Sequence, residues 1–233
     1  MRTPRRTALP LLVSTAAVVT LAACGGGSNT VQLTPDKAIA VAKKEFDATP
    51  GVHVTLAGKD LPSGNVLASA DGTLTRAPAF DGKIGVRVLG STAQVPVISV
   101  DDRVYAKLPL TLSWQEIDPA NYGVPDPASL IDPDTGISHL LTATTGLKTQ
   151  GSVRGGKDNK EVLTTYTGTL PGPAVATIIP DATGSFAVSY TLGAKHRLEQ
   201  AEITGHFYGA DKPQSTYRVT LDDYGIAKTI TKP

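Results

Sequence analysis

From His53 to about Ile117, and again over residues 185–231, apolar and polar side chains alternate at a period of two, with Gly, Pro and Asp pairs between the short runs. Successive side chains of a β-strand point to opposite faces, so the pattern calls for strands that are buried on one face and wet on the other. In GKIGVRVLG, residues Ile84, Val86 and Val88 share one face, and Lys83, Gly85 and Arg87 share the other. PVISVDDRVYAKL reads as two strands joined by a tight turn at Asp101-Asp102. Strands are also expected at about 148–154 and 161–170.

Helices interrupt this pattern at three places. LTPDKAIAVAKKEFDATPG has Thr34 to cap, Pro35 at the first position, Asp36 in the first turn and Pro50-Gly51 to end it, with Ile39, Ala42 and Phe46 on one face. VPDPASLIDPDTGISHLLTATTGLK offers two successive cap pairs, Asp126-Pro127 and Asp132-Pro133. They precede a helical stripe of Ile137, Leu140, Leu141 and Thr144 that Gly146 should stop. A short helix fits PGPAVATIIP. The order is helix, strands, helices, strands, short helix, strands, which is α+β with an antiparallel sheet and not a repeated βαβ fold.

The only cysteine, Cys24, follows an uncharged apolar run headed by Arg2, Arg5 and Arg6. One cysteine excludes a disulfide within the chain and a zinc site made of thiolates. Residues 1–23 read as a signal peptide, since the run is too short and too interrupted by Ser and Thr for a comfortable membrane span. Leu21-Ala22-Ala23-Cys24 looks like a bacterial lipobox, in which the cysteine sulfur receives a diacylglyceryl group and becomes the first residue. Residues 24–33 then form a flexible Gly/Ser-containing tether, and 34–233 a single domain outside the cell, anchored through Cys24.

Cleavage before Cys24 removes three arginines and no acid, so the formal charge falls from +1 to −2. Without a basic footprint, nucleic acid is not an expected partner. GxSxG, HExxH and phosphate-binding glycine loops are all missing, and His53, His139, His196 and His206 stand far apart. His196 and His206, ten residues apart, lack carboxylates at ligand spacing. Asp132 and Asp134 are accounted for by helix capping, and Asp101-Asp102 and Asp222-Asp223 by turns. The reading is of a protein without catalytic residues, metal or cofactor.

Residues 98–141, ISVDDRVYAKLPLTLSWQEIDPANYGVPDPASLIDPDTGISHLL, resemble the central signature of the mycobacterial and actinobacterial LppX/LprAFG lipoproteins. That signature is a strand pair ending in Tyr-Ala-x-Leu (Tyr105 to Leu108), a Trp strand (Trp114), the Asp126-Pro127-Ala128 helix, then Asp-Pro-x-x-Gly (Asp132 to Gly136). GTLT at 72–75, VTLDDYG at 219–225 and the terminal TKP are similar to family segments as well, and the lipobox is shared. The chain departs from the pattern at Tyr224, where relatives tend to carry Trp, and at Pro96.

The resemblance implies a strongly curved antiparallel half-barrel with helices packed on its concave face around an apolar cavity for acyl chains. It assigns Ile84, Val86, Val88, Val97, Ile137, Leu140 and Leu141 to the cavity lining. From periodicity alone, Ile84, Val86 and Val88 fit a closed core more simply. The implied function is an envelope lipoprotein, monomeric, that carries multi-acyl lipids or lipoglycans between the membrane and outer layers, working with a membrane lipid transporter. A ligand-free envelope scaffold and a hydrolase of acyl lipids are the alternatives.

Overall fold

A computed structural model describes residues 33–88, 90–122 and 124–233. Residues 1–23, read from the sequence as a signal peptide, Cys24 and nearly all of the expected tether lie outside the described residues. The first element is α1 (Pro35–Ala48), which buries Ala38, Ile39, Ala42 and Phe46. Thr34 occupies the cap position, but its hydroxyl makes no capping bond; its carbonyl accepts the Ala38 N–H at 2.9 Å.

Six strands follow as successive hairpins: β1 (Gly51–Lys59), β2 (Val66–Thr75), β3 (Ala79–Val88), β4 (Ser91–Val100), β5 (Arg103–Ala106) and β6 (Gln115–Ile117). Asp101 and Asp102 both take positive φ, 54° and 57°, and join Val100 to Arg103 as the two-residue turn expected from the sequence. Alternation runs on through 108–114, yet no strand forms there: the chain loops out between β5 and β6. Where β2 and β3 pair, Gly72 faces Gly82. A Cβ on Gly82 would lie 2.6 Å from the Gly72 Cα and 2.7 Å from the ring of Phe80, so two glycines are needed for that ring to lie across the pair.

The remaining strands are β7 (Thr145–Gly155), β8 (Glu161–Pro171), β9 (Thr183–Leu192), β10 (Leu198–His206) and β11 (Ser215–Asp222). All pairings are antiparallel, in the order β6-β5-β4-β3-β2-β1-β11-β10-β9-β8-β7. The sheet is open, with β6 and β7 at opposite edges. Strand spacing sets these edges about 48 Å apart along a flat sheet, and residues 118–144 must connect them. That connection therefore has to cross one face of the sheet, and it carries a 3₁₀ turn at Pro127–Ile131 and α2 (Ile137–Ala143). A last short helix, α3 (Gly172–Val175), links β8 to β9.

Three details differ from the sequence reading. Asp126 caps its turn as expected, accepting the Ala128 N–H at 2.8 Å, but Asp132-Pro133 starts no helix. The Asp132 carboxylate instead accepts the N–H groups of Asp134 and Thr135 at 2.8 and 2.9 Å and closes a turn, and α2 begins only after Gly136. The stop is likewise earlier than Gly146: Thr144 ends α2, and Gly146, with φ 63°, lies at the irregular start of β7. Finally, regular structure ends at Asp222, and 226–233 forms neither strand nor helix.

The crossing segment is fastened to α1 and the sheet by polar groups. Lys43 donates to Asp47, to the Pro133 carbonyl and to Ser138 at 2.8, 2.8 and 3.2 Å, while buried Ser138 donates to Asp47 at 2.7 Å. Arg76 donates to the Phe46 carbonyl at 2.7 Å and to the Ile131 carbonyl at 2.6 Å. It thereby satisfies carbonyls at two helical C-termini with one cation, the sign that the helix dipole favours there.

Candidate functional site

Between the sheet and the crossing segment lies an apolar cavity of about 100 Å³. One wall comes from six neighbouring strands, β3-β2-β1-β11-β10-β9, through residues such as Leu67, Phe80, Val54, Val219, Ile203 and Tyr190. The other wall comes from Val124, Pro125, Pro127 and Leu130 of the crossing segment, Ile137 and Leu140 of α2, and Val175, Ile178 and Ile179 in and after α3. A second apolar cavity of about 70 Å³ lies beside it toward β4, β5 and β6, lined by Val86, Val95, Val97, Leu108, Ile117 and Tyr122 among others. Ile84, Val124, Pro125 and Pro127 border both and form the partition between them.

The few polar atoms at the first cavity are occupied by the protein itself. The Tyr190 hydroxyl pairs with Thr144 Oγ1 at 2.8 Å and donates to the Leu140 carbonyl at 3.2 Å. The Tyr217 hydroxyl donates to the Leu67 carbonyl at 2.5 Å and pairs with the Tyr208 hydroxyl. Burial pushes both Tyr190 and Tyr217 well above the ordinary phenol range, so both stay neutral. The described lining of this space is therefore apolar, with its hydroxyls satisfied inside the protein.

The residues named from the sequence distribute as follows. Ile84 borders both cavities, Ile137 and Leu140 line the first, and Val86 and Val97 line the second. Leu141, also on α2 and 1% exposed, packs in the hydrophobic core and is not among the residues lining either cavity. The Val88 side chain and Cys24 fall outside the described set. Sequence reasoning missed the partition residues Val124, Pro125 and Pro127, although their proline-rich run inside an otherwise polar connection was visible. It also missed the β9–β11 contribution of Tyr190, Ile203, Tyr217 and Val219, which alternate as clearly as Ile84 and Val86 do.

Among the described residues no three His, Cys, Asp or Glu side chains are grouped closely enough to hold a metal ion, and His206 Nδ1 lies 2.8 Å from the Lys212 carbonyl. Within the same residues no helix is long and apolar enough to cross a membrane.

An open antiparallel sheet crossed on one face by a helical connection, with apolar space between, defines a protein organised around an internal hydrophobic site. The chain belongs to the LppX_LprAFG lipoprotein family, whose model it matches over residues 34–231. It is 27% identical over 247 aligned positions to the lipoarabinomannan carrier protein LprG of Mycobacterium tuberculosis (strain ATCC 25618 / H37Rv), covering 100% of this chain and 99% of that one. The protein of that name from Mycobacterium leprae (strain TN) is 25% identical over 238 positions, with 98% and 96% covered. Two crystal structures share the fold. LprF from Mycobacterium bovis has a TM-score of 0.69 and 19% identity, with 85% of this chain and 96% of LprF covered. LppX of Mycobacterium tuberculosis gives 0.59 and 20%, with 84% and 97% covered.

Proposed function

We propose that this protein is a lipid-anchored carrier that takes multi-acyl lipids or lipoglycans from the membrane and holds their chains between the sheet and the crossing segment. The observation that carries the reading is the pair of apolar cavities, the first of which has its tyrosine hydroxyls already hydrogen-bonded within the protein. The similarity to proteins named as lipoarabinomannan carriers supports a glycosylated lipid as cargo.

Each methylene is worth roughly 0.8 kcal/mol against water, so a lipid with several long chains crosses an aqueous layer alone too rarely to be useful. A dry apolar cavity gives the chains an environment close to that of the bilayer, which leaves the exchange near balance. The carrier works by removing the aqueous barrier, and neither a cofactor nor a catalytic group is called on.

The cavities as they stand, about 100 and 70 Å³, are small for this cargo. An engineered cavity of about 150 Å³ admits a ligand the size of benzene. Loading therefore requires the partition at Val124, Pro125 and Pro127 to move off Ile84, so that the two spaces merge. The bulges in β2, β7 and β10 let the sheet bend into a half-barrel around the chains. The headgroup then stays outside, at the cavity mouth. Acylation of Cys24 holds the domain on the outer face of the cell membrane, the nine-residue step from Cys24 to Leu33 reaching roughly 30 Å when extended.

The test is mass spectrometry of organic extracts from protein purified without its anchor. Co-purified multi-acyl lipids are expected. An empty extract with an unchanged fold would point to a scaffold, and released fatty acids to a hydrolase; either overturns the reading.

A further inference from the structure

Among the described residues five large hydrophobic side chains are exposed, and three of them, Leu110, Leu112 and Tyr122, fall around the short edge strand β6. Leu110 and Leu112 are 105% and 98% exposed, so no described residue covers them. Their loop is nevertheless well defined: Thr111 donates to the Leu108 carbonyl through its N–H at 3.1 Å and its hydroxyl at 2.7 Å. Leu110 takes a φ of 67°, a left-handed conformation that glycine or asparagine adopts readily and a bulky side chain rarely does. Folding gives no reason to place a leucine there, and solubility argues against it.

The neighbouring residues indicate what does. Leu108, at the base of the loop, lines the second cavity together with Ile117, Pro119 and Tyr122, and half-exposed Tyr122 brings that cavity to the surface. The apolar loop and the apolar cavity are thus continuous. Trp114, half-buried at the end of the loop, is a residue type enriched where an apolar medium meets water, and exposed Lys107 at the other end suits a headgroup layer. A protein partner would account for the leucines alone. A bilayer accounts for the leucines, the tryptophan and the cavity that opens beside them.

We infer that residues 109–114 are the membrane-docking element of this domain: Leu110 and Leu112 enter the acyl layer, and the second cavity faces the bilayer at the point where chains pass in or out. The inference rests on the carrier reading above, to which it adds the route.

Trp114 is the chain's only tryptophan and reports on the loop directly. The full, lipid-anchored chain is reconstituted in phosphatidylcholine vesicles with or without mid-chain bromination, and Trp114 emission is recorded for the wild type and for Leu110→Asp/Leu112→Asp. The wild type should be blue-shifted, with emission reduced about twofold or more by brominated chains, as for a tryptophan at the membrane interface. The double variant should lose that quenching while keeping its anchor and its far-ultraviolet circular dichroism. Unquenched wild type, equal quenching in the variant, or an emission shift that depends on protein concentration and not on lipid would each overturn the docking element. An empty lipid extract from a protein whose Trp114 is quenched would remove the carrier reading and leave docking standing.

Discussion

Ser99, a fully buried residue on β4, donates its hydroxyl to the carboxylate of Asp126, which also accepts the Ala128 N–H at 2.8 Å. One side chain therefore shapes the 3₁₀ turn at Pro127–Ile131 and latches the partition between the cavities onto the sheet. Ser99→Ala removes the latch and leaves the cap. Losing a hydrogen bond to a charged group costs about 1.5–3 kcal/mol, or roughly 3–12 °C in melting temperature for a domain of this size. A thermal melt should find that loss, and vesicle-to-vesicle lipid transfer per folded molecule should speed up. A slower or unchanged transfer at lower stability would remove the latch from the loading step.

Ile137 and Leu141 belong to the same helical stripe but meet different surroundings. Ile137 lines the first cavity, and Leu141 packs in the core. Leu141→Ala should cost about 2–5 kcal/mol, as truncations in close-packed cores do, with normal lipid content in the fraction that folds. Ile137→Asp sets a carboxylate without a partner against apolar surface, so lipid content should fall in the folded fraction as well. Melting curves and extracted lipid per folded molecule separate the two; equal lipid loss in both variants would take α2 off the cavity wall.

The same stripe shows how far the sequence could be read. Period 3.6 put Leu140 and Leu141 on one apolar face, but which of two adjacent leucines touches cavity and which touches core depends on the strands opposite, and period carries no such information. Strand faces behave alike: Leu74 and Ile84 both alternate inward, yet one is fully buried and the other borders both cavities. The helix expected at Asp132-Pro133 failed because an Asp side chain accepting N–H groups two and three residues on is common to a helix cap and a closed turn. Hairpins were easier to read, since Asp101-Asp102 specifies its turn through its own backbone. The loop carrying Leu110 and Leu112 was hidden because it keeps the alternation of the strands around it.

His53, on the outer face of β1, stands 2.8 Å from Asp222 and 3.4 Å from Asp71. Partial burial opposes its charge, but the hydrogen bond and charge of Asp222, then those of Asp71, outweigh it and raise its pKa above 6.5. The folded state therefore holds this proton more tightly than the unfolded chain does. The stabilisation is complete below the unfolded value and is lost as pH rises through the folded one. With both carboxylates exposed, its size is less than about 1 kcal/mol. Wild type should exceed His53→Gln in stability most at about pH 5.5 and converge with it near about pH 8.5, on either side of the histidine range. A gap that does not change with pH would contradict this ion pair.

Cys24 carries the only thiol in the chain. Cys24→Ala leaves every described element unaltered and removes the proposed acyl attachment. In detergent phase separation the wild type should enter the detergent phase, and the variant, once its apolar leader is cleaved, the aqueous phase, with the melting temperature of the 34–233 domain unchanged. A cleaved variant that still partitions into detergent would place the anchor elsewhere.

Ile84 offers the sharpest distinction between a cavity and a loosely packed core, because it borders both spaces and forms the partition between them together with Val124, Pro125 and Pro127. Enlarging a residue in a close-packed interior forces strain of typically about 1–3 kcal/mol. At Ile84 the added ring has empty apolar volume on two sides, so the delipidated Ile84→Trp protein should melt within about 1 kcal/mol of the wild type, below that strain. The ring then takes the space through which the cavities have to merge, and vesicle-to-vesicle transfer should drop even though folding does not. The paired measurement is a melt of delipidated protein beside the transfer assay. A destabilised variant with normal transfer per folded molecule would show that Ile84 is core, and that acyl chains take a path that does not cross the partition.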